Sequence, residues 1–198
     1  MNLIVASNNA GKISEIRALL SPIDVYSPGD LDVNIEVEET GDSFYANALL
    51  KASAFAKETG MTALADDSGL QVETLNGRPG IHSARFGPPE LDDRGRCKLL
   101  LKHLVNYPAV ENRKARFCCA MVATSPEGRQ CESIAYCEGH ITSQITGDGG
   151  FGYDPVFFVK SHNCTMAQLS KTTKNSISHR GKALKTIRPK LINLLKEI

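Results

Sequence analysis

Asn2-Leu3-Ile4-Val5-Ala6-Ser7-Asn8-Asn9-Ala10-Gly11-Lys12-Ile13 sets the class of the fold. Asn2–Ala6 is a short apolar run that reads as a buried strand. Ser7–Lys12 is a polar turn, and Ile13, Ile16, Leu19 and Leu20 then recur at helical spacing. A strand feeding a helix through a tight turn is the opening unit of an α/β sheet. Further along, Ile23–Tyr26 predicts a second strand, and the alternation of Val33, Ile35 and Val37 predicts another. Asp42 or Ser43 can cap a long helix to about Lys57, with Phe44, Ala48, Leu49, Ala52 and Phe55 inward and Gly60 as its stop. Met61–Ala65 and Leu70–Glu73 read as two strands separated by Asp66-Asp67-Ser68-Gly69, and Asp92–Val105 as an amphipathic helix. Lys114–Thr124 and Arg129–Glu138 form a hairpin around Pro126-Glu127-Gly128. Val156–Val159 is a strand, His162–Ser178 is mostly polar, and Arg180–Ile198 is helical with Pro189 expected to kink or restart it.

The whole predicts an α/β protein with a mixed sheet. With 198 residues and no low-complexity linker, 1–198 reads as a single domain, with room for two lobes. Hydrophobic content of 41% and charged content of 23% are ordinary for a globular chain. No run approaches a membrane span, and the N-terminus lacks the basic and long apolar regions of a signal peptide, so a cytoplasmic location is expected. The six cysteines (97, 118, 119, 131, 137, 164) contain no Cys-x-x-Cys pair, which argues against disulfides and structural zinc. The net charge is +1, yet residues 160–198 carry nine Lys/Arg against one acidic residue, and residues 1–159 carry 14 against 21. A basic C-terminal segment and an acidic body suit a polyanionic ligand and a metal. Nucleic acid is a rival reading of the basic end.

Four polar segments carry the chemistry. Ser7–Lys12 opens a helix, where backbone N–H groups, the helix dipole and Lys12 suit a phosphate, although the spacing is not that of a Walker A loop. Glu36, Glu38 and Glu39, with Asp66 and Asp67, supply hard oxygen ligands of the kind magnesium takes together with phosphates and water, or a base for water. Gly147-Asp148-Gly149-Gly150-Phe151-Gly152-Tyr153-Asp154-Pro155 puts a ring on a small-residue loop beside a carboxylate, which suits a flat heterocycle; a structural turn is the plain alternative. Lys174–Gly181, opening the last helix, gathers cations where an anion is wanted, and Arg180 brings a planar fork. A flat base, a polyphosphate and magnesium together describe a nucleoside triphosphate.

Six motifs also occur in the same order as in a known family: Ser7-x-Asn9-x-x-Lys12, Glu38-Glu39-Thr40-Gly41, Ala65–Leu70, Pro79-Gly80-Ile81-x-Ser83-Ala84-Arg85, Gly149–Pro155 and Ser178–Gly181. Over residue 3 to about 187 the chain resembles the inosine/xanthosine triphosphate pyrophosphatases, also called the Ham1 or RdgB family. The resemblance implies an elongated α/β protein with a long central mixed sheet, helices in two lobes and the active site in the cleft between them, commonly as a homodimer. It implies hydrolysis of ITP, dITP and XTP to the monophosphate and pyrophosphate, with no nucleic-acid or membrane partner. Ser7, Asn8, Asn9, Ala10, Gly11 and Lys12 would hold phosphates, with Lys12 also neutralising developing charge. Glu38 and Asp67 would bind Mg2+, and Asp67 would be the general base. Ser68 would touch substrate, Phe151 would stack on the purine, and Gly152, Tyr153 and Asp154 would shape its pocket. Lys174, His179 and Arg180 would read the 6-oxo edge. Two departures stand out: Ala46 occupies the place of a family Glu before Asn47, so that neighbours such as Glu39 or Asp66 compensate at the metal or its affinity is lower, and Pro189 interrupts the last helix. A Maf-type pyrophosphatase of modified pyrimidines and a non-catalytic nucleotide sensor or nucleic-acid binder are the competing readings.

Overall fold

The computed structural model describes residues 1–196; the last two positions of the helix expected to run to Ile198 lie outside the described residues. A seven-stranded sheet has the order β2-β1-β3-β4-β5-β6-β7, from β1 (Asn2–Val5), β2 (Asp24–Tyr26), β3 (Ala63–Val72), β4 (Lys114–Thr124), β5 (Gln130–Ile141), β6 (Phe157–Val159) and β7 (Cys164–Thr165). β1 runs parallel to β2 and β3, with Leu3 opposite Val25 and Ile4 opposite Ala63. β6 is antiparallel to β5 and β7. The sheet is mixed, and the fold is α/β. The helices are α1 (Ala10–Leu20), α2 (Phe44–Thr59), α3 (Asp93–His103), α4 (Lys171–Ile177) and α5 (His179–Lys196). None of the described helices is long and apolar enough to cross a membrane.

The chain gathers into two compact units. The first holds residues 1–67, 119–135 and 179 onward; the second holds 68–118 and 136–178. In the first, alternate residues of the strands serve two cores, as a period of two requires. Leu3, Val5, Leu64, Cys119 and Met121 pack with Ile13, Ile16 and Leu20 of α1 and Leu184, Ile187 and Leu191 of α5. Ile4, Ala6, Ala63, Ala65 and Val122 pack with Ala48, Ala52 and Phe55 of α2. Ser43 caps α2, its hydroxyl accepting the Ala46 N–H at 3.2 Å, and Gly60 ends it at φ 64°. The second unit has one core, in which Cys97 and Leu100 of α3 meet Leu70, Phe117, Cys137, Tyr153 and Phe157. Arg113 is buried there, donating to the carbonyls of Leu104, Tyr107, Ile141 and Thr142.

Several local expectations need correction. Val33, Ile35 and Val37 form no strand; they lie in irregular chain and lean on the α2 core. Met61–Ala65 and Leu70–Glu73 are not two strands, because Asp66-Asp67-Ser68-Gly69 continues β3 without a break. The aspartates read as turn residues, yet buried partners hold them in extended chain. Lys174 does not open the last helix but belongs to the separate α4, which Ser178 ends. Pro189 neither ends nor restarts α5. It is exposed, while Ile187 and Leu191 on either side are fully buried and tie down both halves.

Candidate active site

In the first unit β1 ends at Val5 and α1 begins at Ala10, with Ser7, Asn8 and Asn9 in the turn between them. Asn9 caps α1, its side-chain oxygen accepting the Lys12 N–H at 3.0 Å, while its own N–H donates to Ser7 Oγ at 3.2 Å. The turn is thereby fixed, with Asn8, Asn9 and Ala10 exposed and the helix start open to an anion. Lys12 Nζ lies 2.7 Å from Asp66 Oδ1 and 3.2 Å from the Asp66 carbonyl.

Asp66 and Asp67 are neighbours on a buried strand, so their side chains leave on opposite faces. Asp66 faces the α1 and α5 layer, where Arg180 Nε donates to Oδ2 at 2.7 Å and Cys119 Sγ approaches it at 3.2 Å. Burial alone would raise this carboxyl, but the charges of Arg180 and Lys12 outweigh it and hold it well below the usual range. Asp67 faces α2. Its Oδ1 is 3.0 Å from Lys51 Nζ and its Oδ2 is 3.4 Å from Asn47 Nδ2. Burial dominates there, and despite the opposing charges of Lys51 and Lys12 the carboxyl is raised above an ordinary aspartate.

Lys51 was not anticipated from sequence. Its ammonium also meets Glu39 Oε1 at 2.6 Å and the Asp66 carbonyl at 3.3 Å. The signal was present: Asn47 and Lys51 lie one helical turn apart on the inner face of α2, where an apolar pair is the norm. Asn47 also accepts the Gly41 N–H at 2.8 Å. Glu39, rather than Glu38, stands beside Asp67 through Lys51. Inward positions alternate as Val33, Ile35, Val37 and Glu39, which leaves Glu36 and Glu38 exposed. Asp66 is occupied by Arg180 and Lys12, whereas Glu39 shares Lys51 with Asp67.

The second unit carries the glycine loop. Asp154 is buried, and its Oδ2 accepts the Phe151 N–H at 2.9 Å and pairs with Lys174 Nζ at 2.6 Å. The Lys174 ammonium lies 4.4 Å from the Phe151 ring centroid, a cation–π contact against one face of the ring. The Gly152 N–H donates to Asp93 at 2.7 Å, and Cys97 Sγ approaches the Gly152 carbonyl at 3.3 Å. Tyr153 is buried and donates its hydroxyl to the Ser83 carbonyl at 2.9 Å, while Ser83 Oγ accepts the Leu70 N–H at 2.8 Å. The Pro79–Arg85 motif, which has no assigned role in the sequence reading, therefore ties the loop to β3 just past Ser68, a half-buried residue.

His179 and Arg180 open α5, and both are buried. The sequence reading gave Arg180 to the purine edge, but here its guanidinium is 1% exposed and is engaged by Asp66 and by Glu15 at 2.7 Å. A fork that fits a substrate oxygen fits a protein carboxylate equally well.

The family model described as the Ham1 family matches residues 3–190. The chain belongs to the Ham1 family. It is 47% identical over 187 residues to the dITP/XTP pyrophosphatase of Desulforamulus reducens, covering 93% of this chain and 92% of that protein. Among solved structures, the Ham1 protein of Staphylococcus aureus matches with a TM-score of 0.86 and 38% identity, over 98% of this chain and 100% of that one. A HAM1 protein from Coxiella burnetii matches with a TM-score of 0.87 and 36% identity, over 98% and 99%. In this Ham1-family chain Ser7–Lys12, Glu38, Asp67, His179 and Arg180 of the resemblance fall in the first unit, with Lys51 as an addition to them, and Ser68, Phe151–Asp154 and Lys174 fall in the second.

Proposed function

We propose that this chain hydrolyses dITP, ITP and XTP to the nucleoside monophosphate and pyrophosphate, removing deaminated purines from the nucleotide pool. Two relatives 47% identical over most of the chain carry the name dITP/XTP pyrophosphatase, which supports this reading. The carrying observation is that two ammonium groups, Lys12 from α1 and Lys51 from α2, both donate to the Asp66 carbonyl beside the Asp67 carboxylate. Two cations brought together next to a base are placed for a polyanion and a water.

In this reading Ser7–Lys12 holds the phosphates, with Lys12 opposing charge that develops on the pyrophosphate. Asp67 takes the proton of the water that attacks the α-phosphorus, and its raised carboxyl makes it the better acceptor. Ser68 contacts the substrate. Phe151 stacks on the purine, Gly152, Tyr153 and Asp154 shape the pocket, and Lys174, His179 and Arg180 donate to the 6-oxo edge. Adenine, with an amino group there, leaves those donors unpaired.

A divalent ion fits the carboxylates near Asp67. Lys51 already draws Glu39 and Asp67 around one positive charge, and Glu38 is adjacent in sequence. Among the described residues no three His, Cys, Asp or Glu converge as a closed metal cage. One or two carboxylates completed by phosphates and water is what magnesium takes. When bound, the ion would neutralise phosphate charge; Asp67, Glu38 and Glu39 are its available ligands.

Pyrophosphate release from ITP, XTP, dITP, dGTP, dTTP and ATP, with and without magnesium, tests the proposal. Magnesium-dependent cleavage of ITP and XTP at least about a hundredfold over ATP is expected. Release of orthophosphate instead, or a preference for pyrimidines, would replace it. A homodimer in the cytoplasm completes the proposal, and light scattering of the purified chain checks the first part.

Gly150→Ala probes the base end. Gly150 has φ 73°, and a Cβ there would stand 2.0 Å from Asp154 Oδ2. Asp154 cannot retreat without releasing Lys174 and the Phe151 N–H. KM for dITP should rise at least about tenfold, equivalent to about 1.4 kcal/mol; an unchanged KM would remove Asp154 from the pocket.

A further inference from the structure

Lys12 and Glu15 stand three residues apart on α1, and a chain of alternating charges joins them through the protein. Lys12 Nζ meets Asp66 at 2.7 Å, Asp66 meets Arg180 Nε at 2.7 Å, and Arg180 meets Glu15 Oε2 at 2.7 Å. The side chains of Asp66 and Arg180 are 0% and 1% exposed, Glu15 is 13% exposed and Lys12 16%. Exposure grows toward the two ends on α1, and only Lys12 combines that access with a place at the phosphate turn. A lysine alone is a flexible point charge that loses much rotamer freedom when fixed. Here a carboxylate that cannot rotate away, because Arg180 clamps it, defines where the ammonium sits.

We propose that Asp66 is a positioning residue that acts through Lys12, with Arg180 and Glu15 as its anchor, and that neither Asp66 nor Glu15 needs to touch the substrate. The kinetic part rests on the pyrophosphatase reading above. It predicts that removing the Asp66 charge releases Lys12 and slows turnover more than it weakens binding. It also predicts that the loss vanishes where Lys12 is already absent, since residues acting as a unit are not additive.

The test is a double-mutant cycle on the full chain, with Lys12→Ala, Asp66→Asn and the double variant assayed on dITP. Asp66→Asn is expected to lower kcat at least about thirtyfold with KM within about threefold, and to add no more than about twofold to Lys12→Ala. Multiplying losses would mean that Asp66 serves the fold alone and would overturn the proposal. Glu15→Gln, at the accessible end, provides the same cycle with a smaller loss should Asp66→Asn not fold. An ammonium 1H–15N spectrum, with the Lys12 signal assigned by its absence in Lys12→Ala, gives a readout that needs no turnover. Loss of that signal in Asp66→Asn or Glu15→Gln is expected, and its persistence in both would overturn the positioning role even if the chain hydrolysed no triphosphate. A wild-type protein that shows the signal and its loss but releases no pyrophosphate would leave the positioning intact and remove the function.

Discussion

Asp67→Asn is expected to lower kcat for dITP by about 10²- to 10⁴-fold, the range a general base commands. Asparagine keeps the shape of the side chain and its neighbours Asn47 and Lys51, but it accepts no proton at neutral pH. The site argues for a large effect because the carboxyl is nearly buried and is raised above an ordinary aspartate, so bulk water is a poor substitute. Lys51 loses one of its two carboxylates but keeps Glu39 at 2.6 Å, which limits the structural consequence. Single-turnover measurement at saturating substrate isolates the chemical step. Turnover within about tenfold of wild type would transfer the role of base to Glu39 or to water alone.

The second large effect concerns stability. Arg180→Met removes a fully buried guanidinium and leaves Asp66 and Glu15 facing an apolar chain, which costs about 3–5 kcal/mol at neutral pH. The loss depends on pH in a definite direction. In the wild type the Asp66 carboxyl lies well below its ordinary 3.8, because Arg180 and Lys12 overcome the effect of burial. A depressed carboxyl adds stability that is fully present above the ordinary value and is lost as pH falls through the folded value. In the variant, burial faces less opposition, so Asp66 takes up its proton at higher pH and relieves itself. The gap in urea midpoints should therefore be widest near neutrality and narrow below about pH 4. A gap that stayed constant across that interval would mean that Arg180 contributes packing rather than charge.

What the chain reveals in advance depends on whether the signal is local. The Ser7–Lys12 turn was legible because strand, cap and helix follow one another within a few residues, and the glycine loop because no strand or helix accommodates it. The aspartate pair was legible as chemistry but not as geometry. Asp-Asp-Ser-Gly reads as a turn on propensity, and it is the neighbouring strands β1 and β4 and the partners on α1, α2 and α5, all distant in sequence, that keep it extended. Lys51 went unnoticed because a lysine on a helix is ordinarily solvated, and its inward position shows only when Asn47 is read with it. Arg180 shows the limit: its sequence context does not reveal that Asp66 and Glu15 hold its guanidinium.

The unbroken β3 has a consequence for how this site can change over time. Whether an aspartate there faces Arg180 or Lys51 depends on the parity of its position, not on its identity. Substitutions within Ala63–Asp67 alter one layer at a time and can be selected singly. Loss or gain of one residue would exchange the two carboxylates between layers at once, presenting Lys51 with the wrong neighbour and leaving Arg180 without one. The segment should drift in composition but not in length, and homologues that differ there should differ by replacement alone.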